Sequence, residues 1–134
     1  MKAISCIIIS VFLFSCSNKS EVSKILSGSD SLVITFNSPD SDSVINTVSS
    51  TEKKAIRKLS RFLDGKESKL YKCGFDGNMI FFKQGEILLP VIFKYSVAGC
   101  STFMYELDNK VVSREMSNEA MNFLKSLAEG KNWY

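Results

Sequence analysis

The chain has 134 residues, with Lys+Arg 17 against Asp+Glu 14 for a formal net charge of +3, and it contains no histidine. So small a charge excess gives no global field of the kind that draws nucleic acid to a surface. The lack of histidine removes the commonest general acid–base and the commonest nitrogen ligand for metals, while 45% hydrophobic residues suffice for one core.

Met1–Cys16 reads MKAISCIIISVFLFSC. Lys2 is a minimal positive start, and Ala3–Phe14 is an apolar run of about a dozen residues, the length of a signal-peptide core. Crossing ~30 Å of hydrocarbon takes about 20 apolar residues, so the run is too short to span well. It ends in Leu13-Phe14-Ser15-Cys16 and the chain then turns polar at once. These four residues resemble the lipobox of bacterial lipoproteins, in which an aliphatic residue stands three before the cysteine and a small residue one before it. Leu13 and Ser15 match, and Phe14 stands where the family has a small residue.

The resemblance implies that residues 1–15 are a cleaved signal peptide and that Cys16 carries a diacylglyceryl group and an N-acyl chain such as palmitate. No other cofactor is expected. The implied address is the bacterial cell envelope, anchored by lipid to the outer rather than the inner membrane. One acyl chain gives marginal binding at ~0.8 kcal/mol per buried CH₂, while two or three hold firmly. The competing readings are an ordinary secretory signal cut after Ser15-Cys16-Ser17 and an uncleaved anchor.

Processing simplifies the cysteines. Cys6 leaves with the signal and Cys16 is lipidated, so Cys73 and Cys100 remain of four. Two cysteines in an exported domain are expected to pair, because the compartment is oxidising. Two free thiols or a metal pair are the alternatives, the latter without CxxC spacing or histidine to support it. Loss of Lys2 lowers the formal charge from +3 to +2.

Cys16–Asp30 is polar and serine-rich and reads as a lipidated tether, although Val22, Ile25 and Leu26 have the spacing of a short amphipathic turn. Residues 31–134 form the domain. Ser31–Asn37 alternates, with Leu32, Ile34 and Phe36 on one face of a strand. Pro39, Asp40 and Asp42 follow in a solvated turn; the other ligands of a calcium loop are missing.

Ser49–Leu63 is expected to be a helix. Ser49 and Glu52 have capping-box spacing, Ala55, Ile56, Leu59, Phe62 and Leu63 form an apolar stripe, and Gly65 is the stop. Lys53, Lys54, Arg57, Lys58 and Arg61 line the other side. Such a face suits contact with an anionic surface, or simple solvation.

Lys69–Phe75, Asp76-Gly77 and Asn78–Lys83 read as a hairpin, followed by a turn at Gln84-Gly85. Glu86–Tyr95 is apolar on both faces, with Ile87, Leu89, Val91 and Phe93 on one, and Pro90 marks a bulge or an edge. Cys100–Leu107, a turn at Asp108-Asn109 and Lys110–Arg114 complete the strands. Ser117–Glu129 is a second helix, capped by Ser117 and ended by Gly130, and the aromatics of the tail Lys131–Tyr134 are expected to fold back on the core. The fold class is therefore α+β, an antiparallel meander of about four or five strands packed with two helices. In a sequential sheet Cys73 and Cys100 lie too far apart to bond, so the pair demands a curled sheet, a barrel-like closure or another strand order.

No nucleophile motif, phosphate loop or dinucleotide fingerprint occurs, so a non-catalytic binding domain is expected, with an enzyme a weakly supported alternative. Its partner would be an envelope protein or a cell-surface component, met through a sheet edge or loops, with no nucleic acid involved. As an alternative, Tyr71-Lys72-Cys73 at the head of short hairpins looks like the membrane-bound lysozyme-inhibitor lipoproteins, small disulfide-tied β-barrels. That resemblance implies an inhibitor or immunity-type role and carries over no inhibitory residue.

Overall fold

Leu32, Ile34 and Phe36 are fully buried, and their strand lies inside the sheet. The computed structural model describes residues 20–70, 72–131 and 133. The signal segment, Cys16, Tyr71, Asn132 and Tyr134 lie outside the described residues. The elements run α1 (Glu21–Leu26), β1 (Ser31–Asn37), β2 (Val44–Ser50), α2 (Lys53–Phe62), β3 (Gly77–Lys83), β4 (Glu86–Lys94), β5 (Thr102–Leu107), β6 (Lys110–Glu115) and α3 (Asn118–Ala128). The class is α+β: one antiparallel sheet in the order β2-β1-β3-β4-β5-β6, with three helices.

Register puts three rows of side chains on one face. They are Leu32–Phe81–Leu89, Ile34–Met79–Val91–Tyr105 and Phe36–Phe93–Phe103. Against them pack Val22 and Leu26 of α1, Ile56, Leu59 and Phe62 of α2, and Ala120, Phe123, Leu124 and Leu127 of α3. All three helices thus cover the same side, and the core lies between helix layer and sheet. Trp133 also packs on this core, its ring centroid 6.3 Å from that of Phe123.

Several expectations need correction. Among the described residues the sheet has six strands, not four or five. The added strand, β2, is an edge whose side chains are mostly exposed or half-buried, so its polar residues carry no clear alternation. Helices number three among the described residues, not two. The expected tether is ordered from Ser20 onward, where the Ser20 hydroxyl accepts from Ser23 N and α1 buries Val22 and Leu26. α2 is shorter than the expected Ser49–Leu63. Ser49 and Ser50 end β2, and Glu52 is the N-cap without a side-chain hydrogen bond, so there is no capping box. Gly65 does not stop the helix, which closes at Leu63; its role is contact, because a Cβ there would strike the carbonyl oxygen of Glu115.

Lys69–Phe75 is not a strand, and Asp76-Gly77 is not a hairpin turn. Residues 66–68 run along β6, with an isolated bridge Glu67–Arg114 and a bond from Ser68 N to Ser113 O. The chain then crosses to the middle of the sheet and enters β3 at Gly77. This crossover carries Cys73, which bonds Cys100 in the β4–β5 loop with Cα atoms 6.2 Å apart. The sequence-derived conflict over distance dissolves, because Cys73 belongs to no strand and neither a barrel nor a curled sheet is required.

The two remaining hairpins match expectation. Gln84 and Gly85 have φ of 51° and 80°, and Asp108 and Asn109 have 51° and 61°, the positive-φ pairs that two-residue turns between twisted strands need. The β4–β5 ladder begins at Val91, so Pro90, which has no N–H to give, stands where β5 peels away. A bulge opposite Phe81/Phe82 leaves Leu88 unmatched and turns Ile87 to the other face, away from Leu89 and Val91.

Candidate functional site

Three features stand out from this frame: the cation-bearing helix α2, the stapled crossover beside Asp76, and the sheet face that no helix covers.

The sequence of α2, KKAIRKLSRF, has five cations in ten residues and no acid. Its apolar positions Ala55, Ile56, Leu59 and Phe62 face the core, which turns Lys53, Lys54, Arg57 and Arg61 to solvent. Lys58 is half-buried, with Nζ 4.1 Å from the centroid of the Phe123 ring, a cation–π contact. Arg57 Nε donates to Lys53 O at 3.3 Å. Lys53 and Lys54 sit in the first turn, at the positive end of the helix dipole, where a cation costs of order 0.3–1 kcal/mol. Lys53–Arg57–Arg61 and Lys54–Lys58 repeat at i, i+4, and such like-charge pairs each cost about 0.2–0.5 kcal/mol. Among the described residues, Lys53, Arg57, Lys58 and Arg61 enter no ion pair.

The five expected contact residues do not form one patch. Lys53 and Arg57 join Ile56, Ser27 and Ser29 around a shallow hollow of about 350 Å³, at the seam with α1. Lys83 lies against Gly28 at the same seam, and Lys24 is exposed in the last turn of α1. Arg61 stands at the other end of α2, where it shares a hollow with Asp64, Glu115 and Glu119. Periodicity alone showed the cations; it could not show that α1 extends their surface at one end while acids crowd the other. On the far flank of α1, a hydrogen bond and like charge from Asp108 push the Glu21 carboxyl above its ordinary pKa.

Asp76, expected in a turn, is instead buried at the sheet end. Its Oδ2 accepts from Tyr95 N at 2.7 Å and Ser96 N at 2.8 Å, and its Oδ1 from Ser96 Oγ at 2.7 Å and Lys94 Nζ at 3.1 Å. Burial pushes its pKa up, but the bonds from Tyr95, Ser96 and Lys94 outweigh it and leave the carboxyl below the ordinary range. Its backbone completes the joint, N to Phe93 O and O from Asn37 N, each at 2.7 Å. Every oxygen has a donor, so the cluster is a structural clasp for β1, β3 and β4. Cys73 stands next to it, on a crossover lying near Ile92, Thr102 and Met104.

The uncovered side of the sheet is largely apolar at its centre. Register aligns Val33–Ile80–Pro90, Asn78–Ile92–Met104 and Phe82–Ile87 across β1, β3, β4 and β5. Ile87 is 59% exposed and Ile92 36%. Val33, Ile80, Phe82 and Met104 are half-buried by one another and by the strands. Sequence reading missed this face for a definite reason: the bulge at Leu88 reverses the side of Ile87, and a ladder count without it sends Ile87 into the core.

Among the described residues no helix is long and apolar enough to cross a membrane. No family model matches the chain, and neither does any curated protein or solved structure.

Proposed function

We propose that this chain is a lipid-anchored protein of a bacterial envelope, held by acyl chains on Cys16 in the outer membrane, whose domain is a non-catalytic binding module. The address rests on Leu13-Phe14-Ser15-Cys16, and the disulfide Cys73–Cys100 is what an exported chain in an oxidising compartment sustains. The binding role rests on one observation, the apolar strip of Val33, Ile80, Phe82, Ile87 and Ile92 that the helix layer leaves bare. Apolar surface in a contiguous patch, unlike scattered single residues, marks places where another molecule sits. The partner is an envelope protein or a cell-surface component with an apolar surface of its own.

The experiment is crosslinked pull-down from envelope extract with the intact chain and with Ile87→Lys/Ile92→Lys. Both side chains are exposed enough that the substitutions leave the core alone. The expected result is a partner held by the native chain and lost at least tenfold by the variant. An identical capture by both chains removes the sheet face from the reading.

A further inference from the structure

We infer that the end of the helix layer where α1 meets the first two turns of α2 is a docking surface for anionic lipid headgroups, so that the anchored domain stands on the bilayer through Lys53, Arg57, Lys24 and Lys83. The inference deepens the lipid-anchor reading and takes its distance argument from it.

The first support is reach. Three residues, and so four Cα–Cα steps, lie between Cys16 and Ser20, the first residue the structure describes. At about 3.3–3.6 Å per residue, they span at most about 14 Å. α1 adds six residues of helix, about 9 Å. Its last turn leads directly into Ser27 and Ser29, which share a hollow with Lys53 and Arg57. An acylated Cys16 would therefore hold these cations within tens of ångströms of the headgroups. Within the span expected to be a tether, Val22 and Leu26 are instead docked in the core, so the chain between Cys16 and the fold is at most those four steps long.

The second support is charge. In α2, Lys53 stands against the helix dipole and repels Arg57 at i, i+4, and neither enters an ion pair among the described residues. That arrangement weakens the isolated helix and is compensated when an anionic plane faces it. At the seam, Asp30 is one acid beside the four cations, its carboxylate held on the β3–β4 turn by a bond from Gln84 N at 2.8 Å. Arg61 belongs to the opposite, acid-flanked end and takes no part in the surface. With the helix layer turned to the bilayer, the bare sheet face points away from it.

The test uses the full chain, purified with its acyl chains and reconstituted into vesicles of phosphatidylcholine, with or without about 30% phosphatidylglycerol. Lysines are acetylated and read by peptide mass. On anionic vesicles Lys24, Lys53 and Lys83 should label several-fold more slowly, and about 0.5 M salt should abolish the difference. Lys72, exposed beside Cys73 on the crossover that lies near Ile92 and Met104 of the uncovered sheet face, should label equally on both. Arg57→Gln should shorten the protection at Lys53 by about fivefold, the weight of one cation at such a surface. Equal labelling on both vesicles overturns the inference, as does equal slowing at Lys72. The N-terminal peptide in the same digest separates the two readings: acylated Cys16 without protection removes the surface alone, and unmodified Cys16 with protection removes the anchor alone.

Discussion

Asp76 and Gly77 read locally as a turn and act at long range as a joint. The carboxylate serves donors from Lys94, Tyr95 and Ser96, some twenty residues on, while at Gly77 a Cβ would strike Thr35 O and come within 2.6 Å of Phe93 Cζ. Asp76→Asn leaves the Lys94 ammonium buried without its partner charge and is expected to cost about 3 kcal/mol, read from denaturant unfolding. The same group sets an acid limit. Its folded pKa is depressed, so its contribution is complete above the unfolded value of about 3.9 and is lost as pH falls through the lower folded value. The melting temperature should therefore drop on acidification below about pH 4 and the drop should be smaller in Asp76→Asn. Gly77→Ala should destabilise by more than a typical surface substitution, by roughly 2 kcal/mol or more, because β1 and the Phe93 ring must both move.

At the scale of elements, legibility followed how local the determinants are. The turns at Gln84-Gly85 and Asp108-Asn109 were plain because two residues suffice to set them. α3 was plain because Ser117 caps it and Ala120, Phe123, Leu124 and Leu127 make its stripe. β2 was hidden because an exposed edge strand needs no alternation. α1 was hidden because six residues form a helix only when tertiary packing holds them. Of the candidate site, the cations of α2 were visible and the bare sheet face was not, since its shape depends on one unmatched residue, Leu88. Two outcomes check the elements. Val22→Ala/Leu26→Ala should cost about 2–5 kcal/mol in thermal unfolding, whereas a tether would tolerate both. Reduction of Cys73–Cys100, which closes a loop with a sequence separation of 27, should cost about 3–4 kcal/mol and lower the melting temperature.

At the scale of the molecule, the anchor and the fold make separable predictions. Cys16→Ala should move the protein out of the acyl-modified membrane fraction, with intact mass distinguishing a retained signal from a missing lipid. The order of the sheet has a further consequence. β1 is made early but sits between β2 and β3, and its buried residues are closed over by α3 at the far end of the sequence. If the chain is exported as proposed, threading from the N-terminus would put its first strand outside long before Leu124 and Leu127 arrive to seal it. On the proposed export route, such a polypeptide would stay threadable until α3, Asn118–Ala128, has emerged, and only then would the domain lock.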